Sequence, residues 1–375
     1  MNNYRTWIEL SKDALFYNIA QLKKAAKGSD LALVLKSNAY GHGAQAIASL
    51  LDAHSDISWF CTAGLSEALS LRNQGIKKPL IALSYLDASC EDAVIQDIHC
   101  SVYTYEDAQR LSRAAQHVGK QVYVHIKIDT GMSRLGIFYD ETVLFIKALQ
   151  KLPNLVIYGI FTHLCDTSNP DQSFSHLQLK QFDTVLAALK EAHITIPCIH
   201  AQSSSGLCIV PQQPYTLVRA GASAYGIWKS PEHRKLLLQQ CTELDLKPVM
   251  TWKTRIIQLK KVPEGSYVGY DRTYRTSRPT IIALAPIGYW EGYPRSLSNK
   301  GIGLINNMPA AILGIVSMNL TAFDVTDIPN VQTGNTIILL GNTSPITAQE
   351  CAQRAGIITN EMVTHINPEI PRIII

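Results

Sequence analysis

DLALVLKSNAYGHG, residues 30–43, runs five apolar residues, Leu31 to Leu35, straight into Lys36, and an aromatic residue, two glycines and a histidine follow within seven positions. A short apolar run of this kind reads as a strand buried on both faces, the pattern of a parallel sheet covered by helices. Ending such a strand on an ammonium group is costly unless the charge is paired or given up. Either Lys36 reaches water or it has surrendered its charge to do chemistry.

Outward from this stretch the chain repeats the same unit. Candidate strands fall at 31–35, 59–63, 79–85, 98–104, 122–129, 156–164, 196–202 and 217–225. Between them lie amphipathic segments such as ALFYNIAQLKKAAKG, YEDAQRLSRAAQHVG and HLQLKQFDTVLAALKEAH, the first two closing on glycine as a helix C-cap would. About eight strand-then-helix units in roughly 220 residues predict an α/β fold, a (β/α)8 TIM-like barrel, in preference to an open doubly wound sheet. Near residue 240 the texture changes. Segments such as VMTWKTRIIQLKKV, TIIALAPIGYW, PAAILGIVSM and NTIILLG, broken by PEG, NNMP, DIPN and GNTSP, have closely spaced turns and little helical periodicity. They predict a mostly antiparallel β domain. The expected division is 1–240 for the barrel and 241–375 for the β domain.

The bulk composition excludes several classes. With 375 residues, 46% of them hydrophobic and 17% charged, the chain has the make-up of a globular protein and not of a disordered one. A formal charge of +4, spread along the chain, does not indicate a nucleic-acid surface. The first residues lack the pattern of a secretory leader and no run approaches a membrane span, so a cytoplasmic protein is expected. Eight cysteines (Cys61, Cys90, Cys100, Cys165, Cys198, Cys208, Cys241, Cys351) are widely separated, with no Cys-x-x-Cys pair. They read as small core residues, with neither disulfides nor a metal site expected.

The active site of such a barrel lies at the C-terminal ends of its strands, which directs attention to the polar residues there. Lys36 is one. The SNAYGHG after it supplies glycines for close backbone approach and a hydroxyl on Tyr40, and a lysine so positioned suits Schiff-base formation. In strand 122–129, Tyr123, His125, Lys127 and Asp129 share one face, opposite Val122, Val124, Ile126 and Ile128. If the first face points into the barrel, its polar groups must satisfy one another or a ligand. DTGMSRLG then presents Arg134, whose planar fork suits an anionic oxygen. His163 ends the next strand, and Ser203, Ser204 and Ser205 follow another. Arg219 needs a partner inside its apolar strand, and the small Ala220, Gly221 and Ala222 beside it leave room for backbone N–H groups to meet a phosphate. In the β domain VGYDRTY, APIGYWEGYPR and VSMNLTAFDV stand out.

Several motifs in one order over two domains are far more specific than any one alone. KSNAYGHG (36–43), KIDTGMSRLG (127–136), GIFTH (159–163), RAGASAYG (219–226), GYDRTY (269–274) and IGYWEGYPR (287–295) together resemble the pyridoxal-phosphate-dependent alanine racemases over almost the whole chain. The resemblance implies a barrel followed by a β domain, in a homodimer whose sites combine the barrel of one subunit with the β domain of the other. It implies interconversion of L- and D-alanine, supplying D-alanine for peptidoglycan. Lys36 would hold the cofactor. Tyr40, Ser204, Gly221 and Ala222 would bind its phosphate, and Arg219 would face its pyridine nitrogen with His163 behind. Arg134 would steady the phenolic oxygen and the substrate carboxylate. Tyr270 from the partner subunit would be the second base, with Tyr289 and Met318 lining the substrate pocket. Lys127 matches a lysine that is carbamylated in many members. Two acid–base groups on opposite sides of the cofactor plane are what racemisation requires, and Lys36 and Tyr270 would supply them.

Two positions depart from the family pattern. Met318-Asn319 stands where Met-Asp is usual, and Pro368 in INPEIPR stands where a tyrosine is usual. A roomier pocket could accept side chains larger than methyl, since excluding one methylene is worth only about 1–3 kcal/mol. A racemase of broader specificity, acting on serine for example, is therefore the alternative, and a decarboxylase on the same scaffold a further one. Arg219 and Tyr270 speak against the decarboxylase.

Overall fold

The computed structural model describes residues 4–208, 215–240 and 244–375. Its opening strand β1 (Thr6–Leu10) leads into a helix, Lys12–Ala25, whose N-terminus is capped by the Ser11 hydroxyl accepting from Ala14 N–H. Eight parallel strands then form the barrel: β2 (Asp30–Val34), β3 (Trp59–Gly64), β4 (Leu80–Tyr85), β5 (Ile98–Val102), β6 (Val122–Asp129), and, after the short β7 (Ile137–Phe138) beside β6, β8 (Leu155–Phe161), β9 (Cys198–His200) and β10 (Leu217–Ala220). They follow the order β10-β2-β3-β4-β5-β6-β8-β9. The ring closes between β9 and β10 through Thr216 N–H to the Ile199 carbonyl (2.9 Å) and Arg219 N–H to the Gln202 carbonyl (3.0 Å).

Each strand of the sequence reading has its counterpart, and the alternation in β6 is realised. Val122, Val124, Ile126 and Ile128 pack in the main core with the helices, whereas His125, Lys127 and Asp129 are buried on the opposite face. Several strands are shorter than the sequence reading expected: 98–104 ends at Val102, 156–164 ends at Phe161, two residues before His163, and 196–202 is strand only over Cys198–His200. The segment 217–225 is strand only to Ala220, then turns through a short 3-10 helix at Ala222–Tyr225. The helix Lys12–Ala25 ends on Ala26 in right-handed geometry, with Gly28 two residues beyond, whereas Tyr105–Val118 does close on a left-handed Gly119.

The second half is built of β11 (Met250–Arg255), β12 (Gln258–Val262), β13 (Thr280–Ala285), β14 (Ile302–Ile305), β15 (Met308–Ala311), β16 (Thr321–Asp324), β17 (Thr336–Leu340) and β18 (Arg372–Ile374). One sheet runs β15-β14-β17-β11-β1-β18 and a smaller one β12-β13-β16, antiparallel except where β1 meets β18. Residues 6–10, which the sequence reading left with the first 240, thus hydrogen-bond into the sheet of the second half. Two helices there, Ala348–Ala355 and Thr359–Thr364, escaped the periodicity argument because they are too short to show a period. A local signal existed: Thr347 and Glu350 form a reciprocal capping box and Gly356 closes the helix. Of the described cysteines, Cys61, Cys90, Cys100, Cys198 and Cys351 are buried as expected, but Cys165 is exposed. Cys241 and the side chain of Cys208 lie outside the described residues. No described helix is long and apolar enough to cross a membrane.

Candidate active site

A cavity of about 280 Å³ opens at the C-terminal mouth of the barrel, where the ends of β2, β6, β8 and β10 converge. Lys36 enters it from two residues past the end of β2. The segment that follows is a left-handed turn: Ser37, Asn38, Ala39 and Tyr40 all have φ between 53° and 55°. Such geometry costs about 1–2 kcal/mol per residue and persists only where surroundings enforce it. Here Glu67 accepts from Ser37 N–H (2.7 Å), Asn38 Oδ1 accepts from Ala44 N–H (2.8 Å), and His42 Nδ1 donates to the Tyr40 carbonyl (2.9 Å). Burial, then the charges of Arg134 and Arg219 against an opposing Glu67, hold the Lys36 amine below the usual lysine range.

Arg219 is 4% exposed, and both its terminal nitrogens meet acceptors. Its Nη1 donates to His200 Nδ1 (2.6 Å) and the His200 carbonyl (3.0 Å), and its Nη2 to the Thr162 carbonyl (2.8 Å). Burial lowers it to about 10, which leaves it protonated at neutral pH. His163 lies at 3.5 Å from Nη2 and is the lesser partner; His200, which the sequence reading passed over inside IPCIHAQ, is the main one. The only signal for it was a histidine at the end of an apolar strand.

The Arg219 contact fixes protons through the barrel interior. Arginine can only donate, so His200 Nδ1 must accept, and a neutral His200 then carries its hydrogen on Nε2. That nitrogen meets His125 Nδ1 at 3.0 Å, and His125 Nε2 meets His99 Nδ1 at 3.1 Å. Three neutral imidazoles with their hydrogens on Nε2 therefore run in one direction from Arg219 down the barrel axis. Burial keeps all three below the usual histidine range, followed for His200 by the Arg219 charge. Gly159 makes the room, since a Cβ there would sit 2.1 Å from His125 Nδ1. Cys198 Sγ comes within 4.8 Å of the His125 and His200 nitrogens, but a proton on His200 Nε2 removes the lone pair a metal ion would need.

Lys127, 5% exposed, reaches the same cavity from β6. Burial first, then Arg219, Arg134 and Lys36, pull its amine down to about 7. Arg134 lines the cavity from a loop that Asp129 holds: its Oδ1 accepts from the backbone N–H of Gly131, Met132 and Ser133 at 2.9, 2.9 and 3.2 Å. The cavity is also lined by Tyr40, Ser204, Gly221 and Ala222. Ser204 Oγ accepts from Gly221 N–H (2.9 Å), and a Cβ on Gly221 would lie 2.5 Å from the Tyr40 hydroxyl. Burial raises the Tyr40 phenol to about 12, so it stays a donor.

Lys36, Lys127, Arg134, Arg219 and Lys229 thus line one cavity, and no carboxylate lines it among the described residues. The nearby acids are used on backbone amides, Asp129 in the Arg134 loop and Glu67 on Ser37 and Ala63. A pocket with this surplus of positive charge is built for a polyanion.

The residues expected from the β domain are elsewhere in the chain's own structure. Tyr270 is 67% exposed, Met318 55% and Tyr289 44%, and none lines the barrel cavity. They share one scaffold: Tyr289 N–H donates to the Ser317 carbonyl (3.1 Å) and Trp290 N–H to the Met318 carbonyl (2.9 Å). Tyr270 rides on a tight turn in which Gly269, Asp271 and Arg272 have positive φ. Asn319 donates to Glu291 (2.9 Å), and Pro368 is exposed, its carbonyl accepting from Arg372.

Comparisons with known proteins agree with this architecture. The family model described as "Alanine racemase, N-terminal domain" matches residues 10–229, and "Alanine racemase, C-terminal domain" matches 249–374. "Alanine racemase 1" of Clostridium acetobutylicum is 34% identical over 98% of this chain and 95% of its own length. Alanine racemase of Syntrophobacter fumaroxidans is 37% identical over 96% and 95%. Among solved structures, alanine racemase of Clostridium difficile 630 superposes with a TM-score of 0.94 at 29% identity, covering 100% of this chain and 97% of that one. That of Bacillus anthracis with bound L-Ala-P gives 0.88 at 29% identity, covering 100% and 96%.

Proposed function

Because the chain belongs to the alanine racemase family, we propose that it interconverts L-alanine and D-alanine with pyridoxal 5′-phosphate at the mouth of its barrel. The observation that carries this reading is the cavity lined by five basic side chains and, among the described residues, no carboxylate, with a charge-depressed lysine just past the end of β2. The cofactor brings a phosphate and a phenolic oxygen and the substrate brings a carboxylate, so together they meet the surplus. When bound, the cofactor supplies an electron-withdrawing ring that makes the substrate's α-hydrogen acidic.

The protein's own groups divide the remaining work. Tyr40, Ser204 and the backbone at Gly221 and Ala222 bind the phosphate. Arg219 donates to the ring nitrogen without releasing its proton, and the contact from His200 orients its guanidinium. This leaves the ring a weaker electron sink than a carboxylate partner would, which favours quick return of the proton over side reactions. Lys36, freed once the substrate amine has taken its place, holds or gives the α-proton on one face. Tyr270 of the partner subunit does so on the other. Its exposure, with the apolar surface of Trp290, Met318 and Leu320 around the same domain, supports a homodimer with shared sites. Lys127 is carbamylated: its amine, neutral above about pH 7, adds to carbon dioxide and loses a proton, giving an anion that faces Arg134. A cytoplasmic location belongs to the same reading, supported by five buried, unpaired thiols.

The test is a screen of L-amino acids with purified protein and added cofactor, followed by chiral chromatography. D-alanine should dominate. Amine products would point to a decarboxylase, and preference for L-serine would move the substrate assignment to the broader class that Asn319 and Pro368 leave open. Lys36→Ala should lose the bound cofactor's visible absorbance, and an unchanged spectrum would remove that role from Lys36.

A further inference from the structure

A second cavity, of about 230 Å³, lies between the barrel and the β domain. Of its lining residues only Ile227 also lines the catalytic cavity. Its walls are mostly apolar, with Tyr225 and Trp228 from the barrel half and Met250, Leu340 and Val363 from the β domain. Arg234 is the one charged residue lining it among the described residues, and it is paired outward with Asp245 (3.7 Å).

Into this space points a histidine with an unmet valence. His42 is 1% exposed. Its Nδ1 lies 3.1 and 2.9 Å from the Ala39 and Tyr40 carbonyls, which only accept, so Nδ1 carries the hydrogen and Nε2 bears a lone pair. That Nε2 has no protein partner, and neither does Nε2 of Gln349 on the same lining. A buried acceptor left in this state is costly unless something fills the space beside it.

We propose that the cavity is a binding site for a small neutral ring compound carrying one N–H or O–H donor, which hydrogen-bonds to His42 Nε2. A dry cavity of about 150 Å³ holds benzene, so this one takes a bicyclic ring of the size of indole. Among the described residues the walls carry no charge but Arg234, which pairs with Asp245, so a neutral ligand fits better than an ionic one. Aromatic walls favour a flat ring. The site has a direct mechanical link to the catalytic cavity, because the other nitrogen of His42 holds the last carbonyls of the left-handed turn that begins after Lys36. His42 also stacks on Tyr225 (4.5 Å), whose hydroxyl donates to the Val34 carbonyl at the end of β2 (2.8 Å). An occupant that anchors His42 braces that turn.

The test uses the full-length protein, with and without added pyridoxal phosphate, titrated by calorimetry with indole and with benzofuran, which has the same shape and no N–H. Indole should bind once per chain in both forms, roughly fivefold tighter than benzofuran, the worth of one neutral hydrogen bond. It should also slow amide exchange at Tyr40–Gly43. Ala348→Trp, at a part-exposed residue of the cavity wall, should weaken indole binding at least tenfold and leave racemisation intact. Equal affinity for the two compounds, absence of binding up to the solubility limit, or indole binding that survives in a folded Ala348→Trp variant would each overturn the proposal. So would a soaked crystal with only water on His42 Nε2.

Discussion

Gly221→Ala isolates one contact in the proposed phosphate cradle. Gly221 N–H donates to Ser204 Oγ (2.9 Å), and its α-carbon faces the Tyr40 hydroxyl, so an added methyl is read first through that contact. The added Cβ would lie 2.5 Å from the Tyr40 hydroxyl and 3.2 Å from the carbon bearing it. The hydroxyl must retreat by about 0.5–1 Å to reach an ordinary contact. Tyr40 has little freedom to do this gently, because it sits in the left-handed turn and packs against the Tyr225 ring at 5.5 Å. A displacement of that size breaks a hydrogen bond to a charged phosphate, worth about 1.5–3 kcal/mol, or roughly 10- to 150-fold in affinity. The assay is reconstitution of the cofactor-free protein, followed by absorbance, with pyridoxal 5′-phosphate and in parallel with pyridoxal, which has no phosphate. Affinity for the phosphorylated form should fall by that factor while affinity for pyridoxal holds. An equal loss for both compounds would mean that Tyr40 serves the ring or the fold, and no loss for either would refute the cradle.

Tyr270→Phe should slow racemisation much more when the proton is removed from one enantiomer than from the other, measured with α-deuterated L- and D-alanine; equal small losses would contradict two separate bases. Mixing inactive Lys36→Ala and Tyr270→Phe chains should restore part of the activity, and none despite proven subunit exchange would count against shared sites. Carbon-13 bicarbonate should label Lys127 as a carbamate, increasingly as pH rises through about 7 and the amine loses its proton, and Lys127→Met should abolish the signal. Burial holds His42 and His99 at about 4 against an ordinary 6.5, so the unfolded chain takes up their protons first. Their contribution is complete above pH 6.5 and is lost as pH falls toward 4, roughly 3 kcal/mol for each at the limit; a denaturant midpoint flat across that range would refute it.

The barrel was legible in the sequence because a strand covered on both sides leaves a plain mark, an apolar run followed by a helical period. LALVL and VYVHIKID show it without any knowledge of partners. The cavity was legible for a related reason: Lys36, Lys127 and Arg219 are charges in apolar strands, and such charges need an explanation wherever they occur. What stayed hidden depends on contacts between distant segments. His200 gains its meaning only when β9 closes beside β10 and brings its ring to Arg219, 19 residues away. The membership of β1 in the second sheet depends on pairing with residues some 240 positions later, and nothing local in TWIEL announces it. Tyr270 shows the opposite case. Its motif is conspicuous, yet within one chain it leads to a solvent-exposed ring.

These long-range pairings also say where the two halves are joined. β1 ties the start of the chain to β11 and β18, and β18 contributes Arg372, whose guanidinium donates to the Gly41 carbonyl from Nη2 (3.1 Å) and Nε (3.3 Å). Gly41 itself abuts the helix Thr359–Thr364 so closely that a Cβ would fall 1.9 Å from the Val363 carbonyl. The turn beginning after Lys36 is therefore held on one side by barrel residues, Glu67 and Asn38, and on the other by the β domain. A strained turn that needs both domains to enforce it exists only when both are folded and docked. Formation of the Lys36 site is thus coupled to assembly of the whole chain, and an isolated barrel would lack the clamp that keeps the lysine aimed into the cavity.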